Sequence, residues 1–295
     1  MDFKKYQQEA QKTAQIPRDK EVQYLIERII PLLGLAGETG ELLSEYKKHL
    51  RDGPAHKLFS ERVAEELGDL LWYISDLATK FELNLDEIAK NNLKKVRERF
   101  LDNLTETRAY YFDRDFPENE RLPRKFEFII KEVQNGEMPK VQCFYNGKQI
   151  GDDLTDNSHY PDGYRFHDVF HFAHAAVLDW SPVTRSIMKR KRKSDSKTDE
   201  VEDGGRAIAI EEGVTALIFS YAEAHDFLVN ISRLDYGLLK TIAYLTERLQ
   251  VKQCLTGDWE KAILVGYQVW HEVCKNKGGK IIGDIDKQTL VFEKL

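Results

Sequence analysis

The period at which apolar residues recur changes three times along this 295-residue chain, and those changes limit what it can fold into. From Met1 to about Asn103 they come three and four apart, in IERIIPLLGLAGETGELLSEYKKHL and again in VAEELGDLLWYISDLATKF. That spacing gives a helix one apolar stripe. RDGPAH, residues 51–56, separates those two helices, with Gly53 and Pro54 as breakers. Asn84, with Glu87 three residues on, predicts the start of NLDEIAKNNLKKVRERF, a helix running to about Phe100. A first helix from Met1 to about Ala14 makes four, enough for a bundle.

Between Pro117 and Asp156 the period shortens. KFEFII and KVQCFY are rich in aromatic and β-branched residues, and Asn146-Gly147 is a two-residue hairpin signal. GKIIGDIDKQTLVFEKL, at the C-terminus, predicts two more strands joined near Asp286-Lys287, and all these pieces are expected in one small antiparallel sheet. From about Phe166 to Lys277 the pattern is helical again. It is interrupted by MKRKRKSDSKTDEVEDGG, which predicts a mobile or ligand-ordered loop. The expected fold class is therefore mainly α. A four-helix bundle spans residues 1–105, a connector with a β-hairpin 106–162, a second helical domain 163–278 and a terminal β-hairpin 279–295.

The formal net charge of -6 argues against a nucleic-acid coat, because duplex binding needs a basic face. Three distant cysteines form neither a disulfide framework nor a metal-ligand spacing. The polar start and the lack of any apolar run near 20 residues predict a cytoplasmic protein without membrane contact.

Chemistry concentrates in Glu38 and Glu41 of GLAGETGEL and in Glu66 and Asp69 of EELGDLLWYI. Each pair is spaced three apart, so both carboxylates share a helix face. Glu45 continues the first stripe, and Glu65 adjoins the second. One such pair alone is an ordinary solvated helix face. Two pairs inside apolar helices, with Gly34, Ala36, Gly37, Gly40 and Gly68 around them, predict a shared cluster. Four carboxylates at close quarters repel, and oxygen-only ligands favour a hard cation, Mg²⁺ or Mn²⁺. An ion of that kind suits a triphosphate substrate, whose charge must be neutralised before water attacks phosphorus.

GLAGETGEL, a spacer, EELGDLLWYI and NLDEIAKNNLKKVRERF together resemble the MazG family of all-α nucleoside triphosphate pyrophosphohydrolases over roughly residues 1–103. The family motif, Glu-x-x-Glu, spacer, Glu-x-x-Asp, falls on Glu38, Glu41, Glu66 and Asp69. The resemblance implies Mg²⁺ on these four side chains and hydrolysis of a (d)NTP to the monophosphate and pyrophosphate. It also implies assembly as a homodimer or homotetramer. Asn92 and Lys95 match a recurring asparagine-to-lysine spacing of the family, and Arg99 extends their face by one turn. Lys48 is a further phosphate candidate. Trp72 could stack on a base, although a packed tryptophan is the commoner role.

The second half offers His167, His171 and His174 on one helical face with Asp168 beside them, and Glu211 and Glu212 on a later helix. They could hold a second metal or nucleotide, although helical histidines are more often packed residues. The segment also weakly resembles a His-Asp phosphohydrolase signature, with His225-Asp226 as a second doublet and His159 as the upstream partner. Residues from about Gly163 to Ala224 resemble the accessory region behind some bacterial MazG-like domains. The basic run from Lys189 to Lys193 could reach a phosphate, or pair with the acidic run from Asp199 to Asp203. Two rival functions stay open: a catalytically quiet nucleotide sensor, and a His-Asp hydrolase in the C-terminal half.

Overall fold

A computed structural model describes residues 1–14, 23–100, 110–135 and 138–295, with side chains described over 1–14, 26–97, 110–134 and 138–295. The chain is mainly helical with one small antiparallel sheet, and it divides into two units, Met1–Val96 and Arg97–Leu295.

The first unit contains α1 (Phe3–Gln11), α2 (Gln23–Asp52), α3 (Phe59–Lys80) and the start of α4 (Leu85–Phe100). Asp2 caps α1 by accepting from the Lys5 N–H at 2.7 Å. A short 3-10 turn at Gly53–Ala55 folds α3 back along α2. The pairing runs in opposite senses: Arg28 donates to the Lys80 carbonyl, Gly34 faces Tyr73, and Tyr46 lies against Phe59. Asn84 caps α4, its side-chain oxygen accepting from the Asp86 N–H at 2.9 Å. Gln7 of α1 ties this corner together, donating to the Leu83 carbonyl and accepting from the Leu85 N–H.

Of the five small residues around the acidic stripes, Gly34 has the clearest packing role. A Cβ there would overlap the Tyr73 ring, whereas Gly37, Gly40 and Gly68 face open space. Gly34→Ala is expected to cost about 1–3 kcal/mol in overpacking, partly offset by about 1 kcal/mol of helix propensity. Gly37→Ala gains the propensity without the clash. Thermal melts should therefore rank Gly34→Ala below Gly37→Ala, and the reverse order would refute this close approach.

The second unit is built on a five-stranded sheet, in the order β3-β2-β1-β4-β5, antiparallel throughout. The strands are β1 (Lys125–Asn135), β2 (Met138–Tyr145), β3 (Lys148–Leu154), β4 (Gly278–Asp284) and β5 (Thr289–Glu293). Asn146 and Gly147 both take positive φ, 49° and 75°, which suits the twist of a two-residue hairpin. Phe126, Phe128 and Ile130 alternate inward along β1, and the Phe128 ring stacks on Phe172 at 3.9 Å.

Six helices separate β3 from β4: α5 (Asp168–Leu178), α6 (Pro182–Ile187), α7 (Ser196–Val201), α8 (Gly205–Glu223), α9 (Tyr236–Leu245) and α10 (Thr256–Asn276). α5 and α10 pack together and against β4 and β5. Every residue of α5 from Val169 to Leu178 is buried, so His171 and His174 lie in the core.

The charged segment predicted as a mobile loop is folded. Arg192 is 1% exposed and pairs with Asp203, Nη2 to Oδ1 at 2.7 Å and Nε to Oδ2 at 3.0 Å. Between those two residues the chain forms α7. One residue of the basic run, Arg192, is neutralised by Asp203 of the acidic run, and its guanidinium becomes a core group that holds the segment in place. The three cysteines are free. Among the described residues no helix is long and apolar enough to cross a membrane.

Candidate functional site

Because α3 returns along α2, Glu38 comes opposite Glu66 and Asp69. One carboxylate oxygen from each lies within 4.8 Å of the other two. Glu38 and Glu66 are half-buried and Asp69 is exposed. Partial burial, then the charge of Glu38 and a hydrogen bond with it, then Glu41 and Asp69, push the Glu66 carboxyl above the usual carboxylate range. Glu41 is exposed and stands outside the close trio, although its charge is felt at Glu66.

The other candidates have their own partners. Glu45 is buried and joins Lys48 in an ion pair, while His56 Nε2 stands 3.2 Å from its second oxygen. Lys48 foremost holds the Glu45 carboxyl below its ordinary value. Glu65 is exposed and paired with Arg62 at 2.7 Å. Trp72 is half-buried, and its indole N–H donates to the Thr13 hydroxyl at 2.8 Å, joining α3 to the end of α1. Asn92 and Lys95 are exposed on α4, and the Arg99 side chain lies outside the described residues. Sequence reasoning missed Asp76, which is 2% exposed, accepts from Gln11 at 3.0 Å and pairs with Lys80 at 2.7 Å. Its place seven residues after Asp69, on the same face, was the available signal.

Does the trio suit a metal? Its donors are all carboxylate oxygens, their spacing lets one ion reach all three, and burial with the neighbouring anions holds the Glu66 carboxyl above its ordinary range. The open space at Gly37, Gly40 and Gly68 leaves the surroundings uncrowded. The residues fit a hard dication such as Mg²⁺ or Mn²⁺.

In the second unit, His167, Asp168 and His171 place one potential ligand atom each within 4.8 Å of one another, and so do His171, His174 and Glu211. His171 Nδ1 is 3.0 Å and His174 Nδ1 3.1 Å from Glu211 Oε1, while Glu211 Oε2 accepts from the Val183 N–H at 2.9 Å. Burial opposes charge on His171, but Glu211 and then Glu212 outweigh it and lift the ring to about 10. The same contacts outweigh burial at Glu211 and bring it down to about 2, whereas burial leaves His174 below its ordinary value. His225 Nδ1 donates to the Tyr221 carbonyl. His159 and Asp226 join no group of three or more potential metal ligands among the described residues.

A helical hairpin that gathers three carboxylates between two of its helices sets the class: a helical protein with an acidic cluster on one hairpin. Residues 29–101 match the family model of the MazG nucleotide pyrophosphohydrolase domain, and residues 107–295 match that of the MazG C-terminal domain. The chain belongs to the MazG family. Over 69 residues it is 36% identical to the Gene 37 protein of Mycobacterium phage L5, which covers 23% of this chain and 60% of that protein. The chain thus spans less than two thirds of that relative's length. No solved structure matches it.

Proposed function

We propose that the first unit hydrolyses nucleoside triphosphates, ribo- or deoxyribo-, to the monophosphate and pyrophosphate with Mg²⁺ or Mn²⁺ as cofactor. The observation that carries this reading is the meeting of Glu38, Glu66 and Asp69 across the α2–α3 hairpin, inside the segment matching a nucleotide pyrophosphohydrolase domain. These three side chains would hold the ion, and exposed Glu41 would complete the set or orient the attacking water. When bound, a hard dication neutralises phosphate charge and lowers the pKa of water beside it. Asn92 and Lys95 offer an amide and an ammonium to phosphate oxygens from the exposed side of α4. Lys48, tied to Glu45, acts at one remove by fixing that carboxylate.

The same unit leaves large apolar side chains bare. Leu33, Leu43, Leu50, Leu58, Leu67 and Leu93 are each more than half exposed. So much open apolar surface on one small unit supports a homodimer or homotetramer in which copies complete the four-helix bundle.

Incubating the full chain with Mg²⁺ and a panel of canonical and modified triphosphates is expected to release pyrophosphate and the matching monophosphate from at least one. Release of orthophosphate instead, or no product from any, would overturn the reading.

A further inference from the structure

His171 is fully buried, yet its Nε2 has no hydrogen-bond partner. The nearest carboxylate oxygen, Glu212 Oε2, stands 3.4 Å away without hydrogen-bond geometry. That separation is long for a charge-assisted hydrogen bond. It is the spacing of two ligands on one tetrahedral ion, about 3.4 Å when each bond is about 2.1 Å. We propose that His167, Asp168, His171 and Glu212 form a second metal site, for a first-row transition-metal dication, in the C-terminal unit.

The hydrogen bonds decide which atoms are available. Nδ1 of His167 lies 2.9 Å from the Tyr164 carbonyl, which can only accept, so that nitrogen carries the proton and Nε2 keeps its lone pair. Nδ1 of His171 is likewise engaged, by Glu211. Both imidazoles are therefore held at Nδ1 by an oxygen and direct Nε2 elsewhere, the arrangement in which outer partners orient metal-bound histidines; on His171, lifted to about 10 without metal, an incoming ion displaces the Nε2 proton to solvent. The Tyr164 ring stacks on His167 with centroids 4.5 Å apart and fixes its plane. Asp168 opens α5 between the two histidines, and one of its oxygens lies within 4.8 Å of a ring nitrogen of each.

The alternative grouping of His171, His174 and Glu211 is already satisfied without an ion. Both Glu211 oxygens are engaged, one by the two Nδ1 atoms and the other by the Val183 N–H. Glu211 is thus the positioning residue of the site. Two imidazoles with two carboxylates favour a transition metal over Mg²⁺, which separates this site chemically from the oxygen-only trio of the first unit. Glu212 is 41% exposed, so the carboxylate side of the group borders solvent.

Cobalt is the probe. Added to the chelator-stripped full chain, Co²⁺ is expected to give the strong visible absorption of a low-symmetry, nitrogen-containing site, saturating at one ion per chain and bleached by Zn²⁺. An oxygen-only site gives only the weak bands of a six-coordinate ion. Glu212→Gln and Asp168→Asn are each expected to weaken the strong signal by at least about tenfold, with the circular dichroism spectrum retained. Wild-type affinity in the Asp168→Asn/Glu212→Gln double variant, or no strong absorption from the wild type, overturns the proposal. If Asp168→Asn alters the fold, Glu212→Gln decides alone.

Discussion

Glu66→Gln is expected to lower kcat/KM for triphosphate hydrolysis by roughly 10²–10³-fold while making the metal-free protein more stable above mildly acidic pH. The two effects have one cause. Glu66 sits against Glu38 and Asp69 and feels the charge of Glu41, and burial with these anions holds its carboxyl above the ordinary value of 4.5. A carboxyl whose folded-state pKa is raised binds its proton more tightly in the folded chain than in the unfolded one. The metal-free wild type therefore loses stability as pH rises from 4.5 through the raised value, and an amide at this position removes that loss. The same amide removes an anionic ligand from a site whose bound ion would be worth several kcal/mol to the reaction. Two melting series and one rate measurement separate this from a structural role. Mg²⁺ should raise the melting temperature of the wild type and leave that of Glu66→Gln unmoved. Glu61→Gln, an exposed residue in the first turn of α3, serves as the control. A Glu66→Gln enzyme that keeps its rate, or melts lower without metal at pH 8, would remove the trio from the chemistry.

Much of this arrangement was legible in the sequence because local spacing decides it. A three-residue interval puts Glu66 and Asp69 on one face of α3, and the Gly53-Pro54 break returns α3 along α2. The Asn146-Gly147 signal set the β2–β3 hairpin for the same reason. Neighbours on one helix were harder to read. Lys48 lies three residues from Glu45, so the two were bound to compete with any phosphate, but only the burial of Glu45 shows which partner takes the lysine. Pairing over long separations was partly readable. Strand-like composition predicted a common sheet, whereas the register of Phe128 opposite Ile281 joins strands separated by six helices and no local spacing specifies it. The charged segment was half legible: the acidic run from Asp199 to Asp203 was a visible partner for the basic one, but hydropathy assigns every arginine to solvent and gives no sign that Arg192 is buried.

That buried guanidinium yields the second large effect. Asp203→Asn is expected to destabilise the C-terminal unit by about 3–5 kcal/mol, lowering its melting temperature by roughly 6–20 °C. Asp203 is fully buried and accepts from the Arg192 backbone N–H at 2.7 Å as well as from its side chain. Arg185, 1% exposed, lies beside it with Nε 3.9 Å from Asp203 Oδ1 and is itself paired with Asp113 at 2.5 Å. An asparagine leaves these two buried cations with a single carboxylate, and the desolvation cost of the second is no longer offset. Removing both charges in Arg192→Met/Asp203→Asn should recover part of the loss, because an apolar side chain needs no counter-ion. The recovery will be incomplete, since Arg192 Nη1 also donates to the Phe112 carbonyl and to Gln250, and those acceptors would lose their partner. Calorimetry on the four members of this cycle gives the coupling directly. Trypsin adds a local readout: the bond after Arg192 should resist cleavage in the wild type and open in Asp203→Asn. An unchanged melting temperature together with an uncut Arg192 would show that the segment is held by something other than this pair.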